Sequence, residues 1–219
     1  MSGEERKKEK LSFYIFGISF LLIVIAIIHY KPSPFLFIPL LVSAIIMLLQ
    51  SRVNRYAVIV GAINAILYAI AYMKMSLHAT ALYAILVSCP LQVMIFVNWS
   101  RYTSQRETKL RKLSIRSRVM LFGGMLVGWL ILYMIFSGFN SKYLLLDNSV
   151  AVLGTISTVL CALRFKEYTF LQILTNAIGF TTYLMMVEAE PSRIIWVISS
   201  ANAIVCTWLA WSNMNEKEE

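Results

Sequence analysis

The side chains that could do chemistry in this chain are uncharged amides and phenols set inside long apolar runs. Asn64 and Tyr68 share one helical face with Gly61, because the three are spaced i, i+3 and i+7. Gln172 and Asn176 share a face of a later run in the same way. A polar group in hydrocarbon is costly unless it has a partner or a cavity. So many polar groups at similar depth favour a lined pocket over isolated interhelical hydrogen bonds.

These groups form the predicted substrate-binding set, in which the amides hydrogen-bond the ligand and the phenols stack on it or gate it. The residues are Asn64, Tyr68, Gln92, Gln172, Asn176, Tyr183 and Asn202. Such a pocket suits an uncharged or singly charged molecule with a ring. It does not suit a phosphate, which calls for Arg or Lys.

We expect no catalytic residue, no cofactor and no metal ion. The chain has no His-Glu-x-x-His and no Gly-x-Ser-x-Gly motif. Its charges inside the apolar runs are confined to their ends, with Asp147 at the outer start of one and Glu167 at the inner start of the next. The cysteines Cys89, Cys161 and Cys206 lack metal spacing and are interpreted as small buried apolar residues.

Composition identifies the elements that must position these groups. The chain is 59% hydrophobic and only 14% charged over 219 residues, more apolar surface than a soluble domain of this length can bury. Eight apolar runs approach the length of about 20 residues that spans a bilayer. They cover residues 12–30, 34–50, 54–73, 77–99, 119–137, 146–163, 167–187 and 193–212. The sequence therefore predicts an all-α membrane protein with eight transmembrane helices.

Basic residues predict the orientation of these helices. If the N-terminus is cytoplasmic, sixteen of the twenty Lys and Arg residues lie on the inner side, as the positive-inside rule requires. Both termini are then cytoplasmic. The basic linker 101–118 lies beside the membrane, so anionic lipid is its expected partner and nucleic acid is not. The oligomeric state is left open, a homo-oligomer included.

An internal repeat organises the chain. Residues 41–99 match residues 153–211 without a gap at an offset of 112. The coinciding uncommon residues are Arg52 with Arg164, Tyr56 with Tyr168, Asn64 with Asn176, and Trp99 with Trp211. A repeated helical unit in a membrane chain indicates a transporter with its site between the copies.

The repeat unit is three helices, and run 119–137 returns the chain so that the second unit has the same orientation. Its Gly124 and Gly128 form a small-xxx-small pair that permits close helix contact. The prediction is one peripheral N-terminal helix followed by a 3+1+3 parallel repeat of three-helix bundles. The predicted divisions are a basic N-terminus with the peripheral helix (1–33), the first bundle (34–100), the basic linker with the inverting helix (101–145), the second bundle (146–213) and a cytoplasmic tail (214–219).

This layout resembles the PnuC-type nicotinamide riboside transporters over about residues 34–212. The first half carries an Asn and a Tyr four residues later, then a Pro-x-Gln segment that runs to a Trp. The second half carries an Asp at a helix start, then an Arg-x-x-Glu turn and an Asn nine residues after the Glu. These positions are Asn64, Tyr68, Pro90, Gln92, Trp99, Asp147, Arg164, Glu167 and Asn176.

The resemblance implies a bacterial inner-membrane protein related to full-length SWEET sugar transporters. Family members carry an unphosphorylated vitamin by facilitated diffusion with alternating access, and a cytosolic kinase then traps it. Where the family has a Trp-x-x-Trp pair, this chain has Thr169 and Gln172. The cargo is therefore open between nicotinamide riboside, thiamine, riboflavin and another nucleoside-like solute. A SWEET-like sugar carrier and a non-transporting membrane scaffold are the alternatives.

Overall fold

In the computed structural model the chain is helical along nearly all of its length. The structure describes residues 3–51, 56–101, 111–139, 141–163 and 165–216, and these ranges hold no β-strand. The helices are α1 (Gly3–Tyr30), α2 (Pro34–Ser51), α3 (Tyr56–Lys74), α4, α5 (Ile115–Phe136), α6 (Leu144–Ala162), α7 (Glu167–Val187) and α8 (Ile194–Glu216). Helix α4 consists of three successive segments, His78–Tyr83, Ala84–Ser88 and Cys89–Arg101, of which the second is a π-helix.

Local sequence explains where several helices begin and end. Pro34 is the first residue of α2, where its missing N–H is not needed for an intrahelical bond. Lys31 (φ 46°) and Ser76 (φ 56°) take left-handed backbone conformations in the tight turns before α2 and α4. Ser114 caps α5, because its side-chain oxygen accepts from the Ser117 N–H at 3.1 Å. Short turns of this kind bring consecutive helices side by side.

Six helices form a closed ring. Helix α3 packs between α2 and α4, and α7 packs between α6 and α8. The ring closes where α4 contacts α6 and where α8 contacts α2. We call the α4–α6 contact the first seam and the α8–α2 contact the second seam. Helices α3 and α7 are therefore opposite each other across the ring.

The two remaining helices lie outside the ring, one at each seam. Helix α5 packs on α6 and touches the start of α4, whereas α1 packs on α8 and touches α2. Both have many exposed apolar side chains, and α1, which we predict to be peripheral in the membrane, contacts the ring from outside. A Cβ atom added at Gly124 or Gly128 would meet nothing within 4 Å. The described part of the chain therefore supplies no helix to the small-residue face of α5.

The apolar character of these helices makes the chain an all-helical membrane protein. Within the described residues, six helices are long and apolar enough to cross a membrane, and α2 and α3 supply the shorter apolar stretches Pro34–Ile46 and Val58–Lys74. Each of the eight predicted runs overlaps one helix. The two three-helix bundles and their domain boundaries remain a prediction.

Candidate functional site

A cavity of about 520 Å³ lies within the ring, and all six ring helices contribute to its wall. Six of the seven predicted binding residues line it: Asn64, Tyr68, Gln92, Gln172, Asn176 and Tyr183. Ser43, Tyr72, Thr80, Tyr83, Ser88, Ser157, Thr158, Tyr168 and Thr175 add further hydroxyl groups. Among the described residues that line the cavity there is no Lys, Arg, Asp, Glu or His. The described part of the wall is therefore polar but uncharged.

Asn64 joins α3 to α2 at one side of the cavity. Its Nδ2 donates to the carbonyl oxygen of Pro39 at 3.1 Å and to Ser43 Oγ at 2.9 Å. The Tyr68 hydroxyl lies 2.7 Å from the same Ser43 Oγ. Asn64 is 2% exposed, and its Oδ1 has no hydrogen-bond partner in the described structure. Asn64 thus has its donors satisfied and its acceptor unsatisfied.

Gln172 and Asn176 form a second amide cluster on the opposite helix, α7. Ser157 of α6 donates to Gln172 Oε1 at 3.0 Å and also lies 3.1 Å from the carbonyl oxygen of Tyr168. Gln172 Nε2 lies 3.4 Å from Asn176 Oδ1. Thr169, which takes the other tryptophan position of the resembled family, is 1% exposed and bonds to the Lys166 carbonyl. Of the two positions where the resembled family has tryptophan, the one held by Gln172 lines the cavity and the one held by Thr169 does not.

Gln92 reaches the cavity because α3 has a glycine opposite it. A Cβ atom at Gly61 would lie 2.0 Å from Gln92 Oε1, so any side chain there would displace the glutamine. Gln92 Nε2 donates to Ser88 Oγ at 3.0 Å. The π-helical turn that ends at Ser88 is closed by a bond from the Cys89 N–H to the Ala84 carbonyl. Pro90 follows Cys89 directly. Because proline has no backbone N–H to continue the regular ladder of helical hydrogen bonds, a local distortion is expected next to it.

An aromatic cluster around Trp196 includes three tyrosines that line the cavity. Trp196 of α8, 2% exposed, packs against Tyr68 and Tyr72 of α3 and against Tyr183 of α7, with ring centroids 5.2 to 5.5 Å apart. Tyr68 and Tyr72 also stack at 5.5 Å. Trp196 and Tyr72 are absent from the predicted set. Extending the Gly61, Asn64, Tyr68 stripe by one helical turn would have found Tyr72, and Trp196 lies one turn before Ser200, which lines the cavity.

Tyr83 links α4 to α6 across the first seam and is also absent from the predicted set. The Thr158 hydroxyl donates to the Gly154 carbonyl at 2.8 Å, so the Tyr83 hydroxyl is the donor in its 2.8 Å bond to Thr158 Oγ1. A Cβ atom at Gly154 would lie 2.9 Å from the Tyr83 ring. Gly154 therefore makes room for the phenol.

Asp147 joins the same two helices near their first residues. Its carboxylate accepts from the Ala79 N–H at 2.9 Å, the Thr80 N–H at 2.9 Å and the Thr80 hydroxyl at 2.6 Å. These N–H groups belong to the first turn of α4, which has no intrahelical acceptor for them and carries a partial positive charge. Asp147 is 1% exposed. A side chain of α6 thus caps α4.

Two predictions about individual residues differ from the structure. Asn202 does not line the central cavity, because it faces a small cavity of about 20 Å³ that α1, α2 and α8 share. Cys161 is exposed and lines the central cavity, and Cys89 and Cys206 are partly exposed, so the cysteines are not buried apolar residues. Of the equivalent pairs, Arg52 and Arg164 and the side chains of Tyr56 and Trp99 lie outside the described residues.

The groups that line the cavity, amides, hydroxyls and phenols, are suited to binding a polar molecule. Across the described ranges, no three His, Cys, Asp or Glu side chains come together as a metal site would require.

Comparison with known proteins agrees with this conclusion. A search of curated proteins finds no match. Among solved structures, the chain resembles the one described as "Crystal structure of the Vitamin B3 transporter PnuC", at 16% sequence identity and a TM-score of 0.71 over 97% of this chain and 93% of that one. At that identity the likeness shows the fold alone. Residues 33–213 match the family described as Nicotinamide mononucleotide transporter. The chain is therefore a membrane transporter of this family and not an enzyme.

Proposed function

We propose that this protein carries an unphosphorylated vitamin, nicotinamide riboside or a related nucleoside-like compound, through the central cavity. The observation that carries the proposal is the cavity itself: it measures about 520 Å³, lies between six helices, and is lined by amides and phenols, with no charged side chain among the lining residues that the structure describes. The amides provide hydrogen bonds for polar edges of a cargo. The phenols provide faces on which a ring can stack.

The neutral wall favours the nucleoside over its phosphate. A phosphate group entering a membrane cavity loses its hydration and needs Arg or Lys in return. The family is described by the mononucleotide, yet within the described ranges of the chain no cationic side chain lines this cavity. An uncharged or singly charged cargo fits, and a cytosolic kinase that phosphorylates it would prevent its return.

Gln172 keeps thiamine and riboflavin among the candidates. An amide in place of an indole removes stacking surface and adds two donors and an acceptor. A SWEET-like sugar carrier fits less well, because five tyrosines line the cavity and an aromatic ring is the natural partner for them.

Transport would proceed by facilitated diffusion with alternating access. In this mechanism α2–α4 and α6–α8 are the two three-helix bundles of a 3+1+3 parallel repeat, and they rock about the cavity. The packing order supports it, since the middle helix of each triplet contacts both others and the two triplets meet at two seams. The distribution of basic residues supports cytoplasmic termini in a bacterial inner membrane.

Alanine variants of the paired asparagines test the proposal. We expect Asn64→Ala and Asn176→Ala each to lower riboside uptake into proteoliposomes by about tenfold, because each loses hydrogen bonds at the cavity. Asn202→Ala is the matched control, since it removes an amide that faces a different cavity. If the first two variants transport normally, the central cavity is not the cargo site. A thermal-shift screen of unphosphorylated vitamins against the purified protein identifies the cargo.

A further inference from the structure

We propose that residues 111–113, at the end of the linker before α5, hold the turn between α6 and α7 away from the central cavity. We call these three residues the brace, and Glu167 is the residue that positions it. The inference concerns the width of one end of the cavity. It goes beyond the proposed function, because it does not depend on which cargo the cavity takes.

The backbone of the brace pairs with the backbone of the turn. Arg111 and Phe165 form an isolated parallel β-bridge, and the Lys166 N–H donates to the Arg111 carbonyl at 3.0 Å. The Phe165 N–H donates in turn to the Leu160 carbonyl of α6 at 2.9 Å. Pairing of this kind fixes the register of two extended segments. The brace is therefore attached to the turn at a defined position.

Glu167 provides a second attachment. Its Oε1 accepts from the Leu113 N–H at 3.0 Å and from Arg118 Nη2 at 2.9 Å. Hydrogen bonds to a carboxylate are among the stronger ones in proteins. Glu167 is the first residue of α7, and Arg118 lies near the start of α5. One carboxylate thus joins the brace and the start of α5 to the start of α7.

The brace lies on the outside of the ring. Leu113 packs on an apolar cluster that also contains Leu121 and Met125 of α5. The buried members of this cluster include Leu160 of α6 and Leu171 of α7. Helix α5 is outside the ring, and Leu113 does not line the central cavity. The brace therefore holds the turn from the side that faces away from the cavity.

Two residues that line the cavity lie on either side of this turn. Cys161 is the last residue but one of α6, and Tyr168 is the second residue of α7. Cys161 is exposed, and Tyr168 packs in the same cluster as Leu113. Holding the turn outward keeps this end of the cavity wide and the Cys161 thiol accessible. Without the brace, the turn can move inward and cover the thiol.

The native thiol of Cys161 reports on the brace. Cys89→Ser and Cys206→Ser leave Cys161 as the one cysteine of the chain. The measurement is the rate at which a small maleimide labels Cys161 in the purified full-length protein in lipid nanodiscs, followed by mass spectrometry. Glu167→Ala removes both bonds to the carboxylate, so we expect labelling to slow about fivefold. No cargo is needed, so this result and the test of the proposed function are independent.

A pair of arginine variants supplies the matched control. Arg118 is half exposed, and exposed ion pairs contribute little, so Arg118→Ala should slow labelling only about twofold. Arg116→Ala removes the same charge two residues away and should leave the rate unchanged, because Glu167 accepts from Arg118. Glu167→Gln keeps an acceptor oxygen and should restore most of the rate.

The thermal unfolding temperature of each variant separates the positioning role from a general loss of stability. Slower labelling at an unchanged unfolding temperature supports the brace. Labelling of Glu167→Ala at the parent rate or faster would overturn the inference, and so would equal slowing in Arg116→Ala. If Glu167→Ala does not fold, the comparison of Arg118→Ala with Arg116→Ala decides, and equal rates in these two variants would refute the role of Glu167.

Discussion

The first and second seams occupy equivalent places in the internal repeat, yet they are built differently. At the first seam, Asp147 caps α4 and Tyr83 bonds to Thr158. The residues 112 positions away are Phe35, Ser192, Ile195 and Ile46. The carboxylate and the phenol thus have apolar counterparts. The second seam contains a small cavity, and its contact between α8 and α2 is small.

This difference separates a fixed contact from one that can open. Buried hydrogen bonds to a helix terminus have strict geometry, and breaking them leaves charged and polar groups without partners. Apolar side chains around a small void can slide at lower cost. Under the proposed rocking motion, we expect the first seam to act as the hinge and the second seam to open and close.

The largest expected effect comes from locking the second seam. With the native cysteines replaced by serine, cysteines at Ala44 and Ser199 face the same small cavity. Joining them with a short bifunctional thiol reagent should abolish uptake in proteoliposomes. The control pair, Ala79 and Ala151, packs together at the first seam and should tolerate the same cross-link. If cross-linking abolished uptake in the control pair alone, the first seam would be the one that opens and the second seam would be the hinge.

Removing the Asp147 carboxylate should cause the next largest effect. Asp147→Ala leaves the Ala79 and Thr80 N–H groups buried without an acceptor, at a cost of about 3 kcal/mol in the free energy of unfolding. Thermal unfolding in detergent measures it. Phe35→Ala, at the repeat-equivalent position and half exposed, should cost about 1 kcal/mol. Similar losses in both variants would show that the seams do not differ.

A smaller effect is expected at Gly154. In Gly154→Ala the new Cβ lies 2.9 Å from the Tyr83 ring, which must shift and weaken its bond to Thr158. We expect destabilisation of about 1–2 kcal/mol in the same assay. Gly179→Ala is the control, because its Cβ would be 3.5 Å from the nearest atom, an ordinary contact. Normal stability of Gly154→Ala would mean that the phenol does not support the seam.

Tyr83→Phe should have the smallest effect. It deletes one hydroxyl and keeps the ring, so the loss of unfolding free energy should be about 1 kcal/mol. Combined with Thr158→Val in a double-mutant cycle, the two changes should be less than additive, because they remove the same bond. Full additivity would show that the bond contributes nothing.

Sequence reasoning located the helices well and named polar groups that line one cavity. Runs of apolar residues long enough to span a bilayer leave few alternatives, and Asn64, Gln92 and Asn176 do reach one cavity. Rotation of a helix about its axis was harder to predict. Asn202 faces the second seam, since little in the α8 sequence separates a ring-facing side from a seam-facing one.

Trp196 and Tyr72 were missed for a different reason. In a membrane chain, tyrosine and tryptophan near a helix end normally lie at the water interface. The packing of Trp196 against three tyrosines depends on α3, α7 and α8 meeting in space, which no single segment encodes. The capping of α4 by Asp147 of α6 likewise depends on two segments meeting in space, because its N–H donors lie 67 and 68 residues away along the chain.

The attachment of the linker to α7 affects which helices move together during transport. Glu167 accepts from the Leu113 N–H and from Arg118, so the chain entering α5 is tied to the first turn of α7. Helix α5 packs mainly on α6, and α1 packs mainly on α8. Helices α1 and α5, which lie outside the ring, would thus move together with α6, α7 and α8. The transporter would then consist of two parts that move against each other. The larger part, held in the lipid, is α1 with α5, α6, α7 and α8, and the smaller part is α2, α3 and α4 alone.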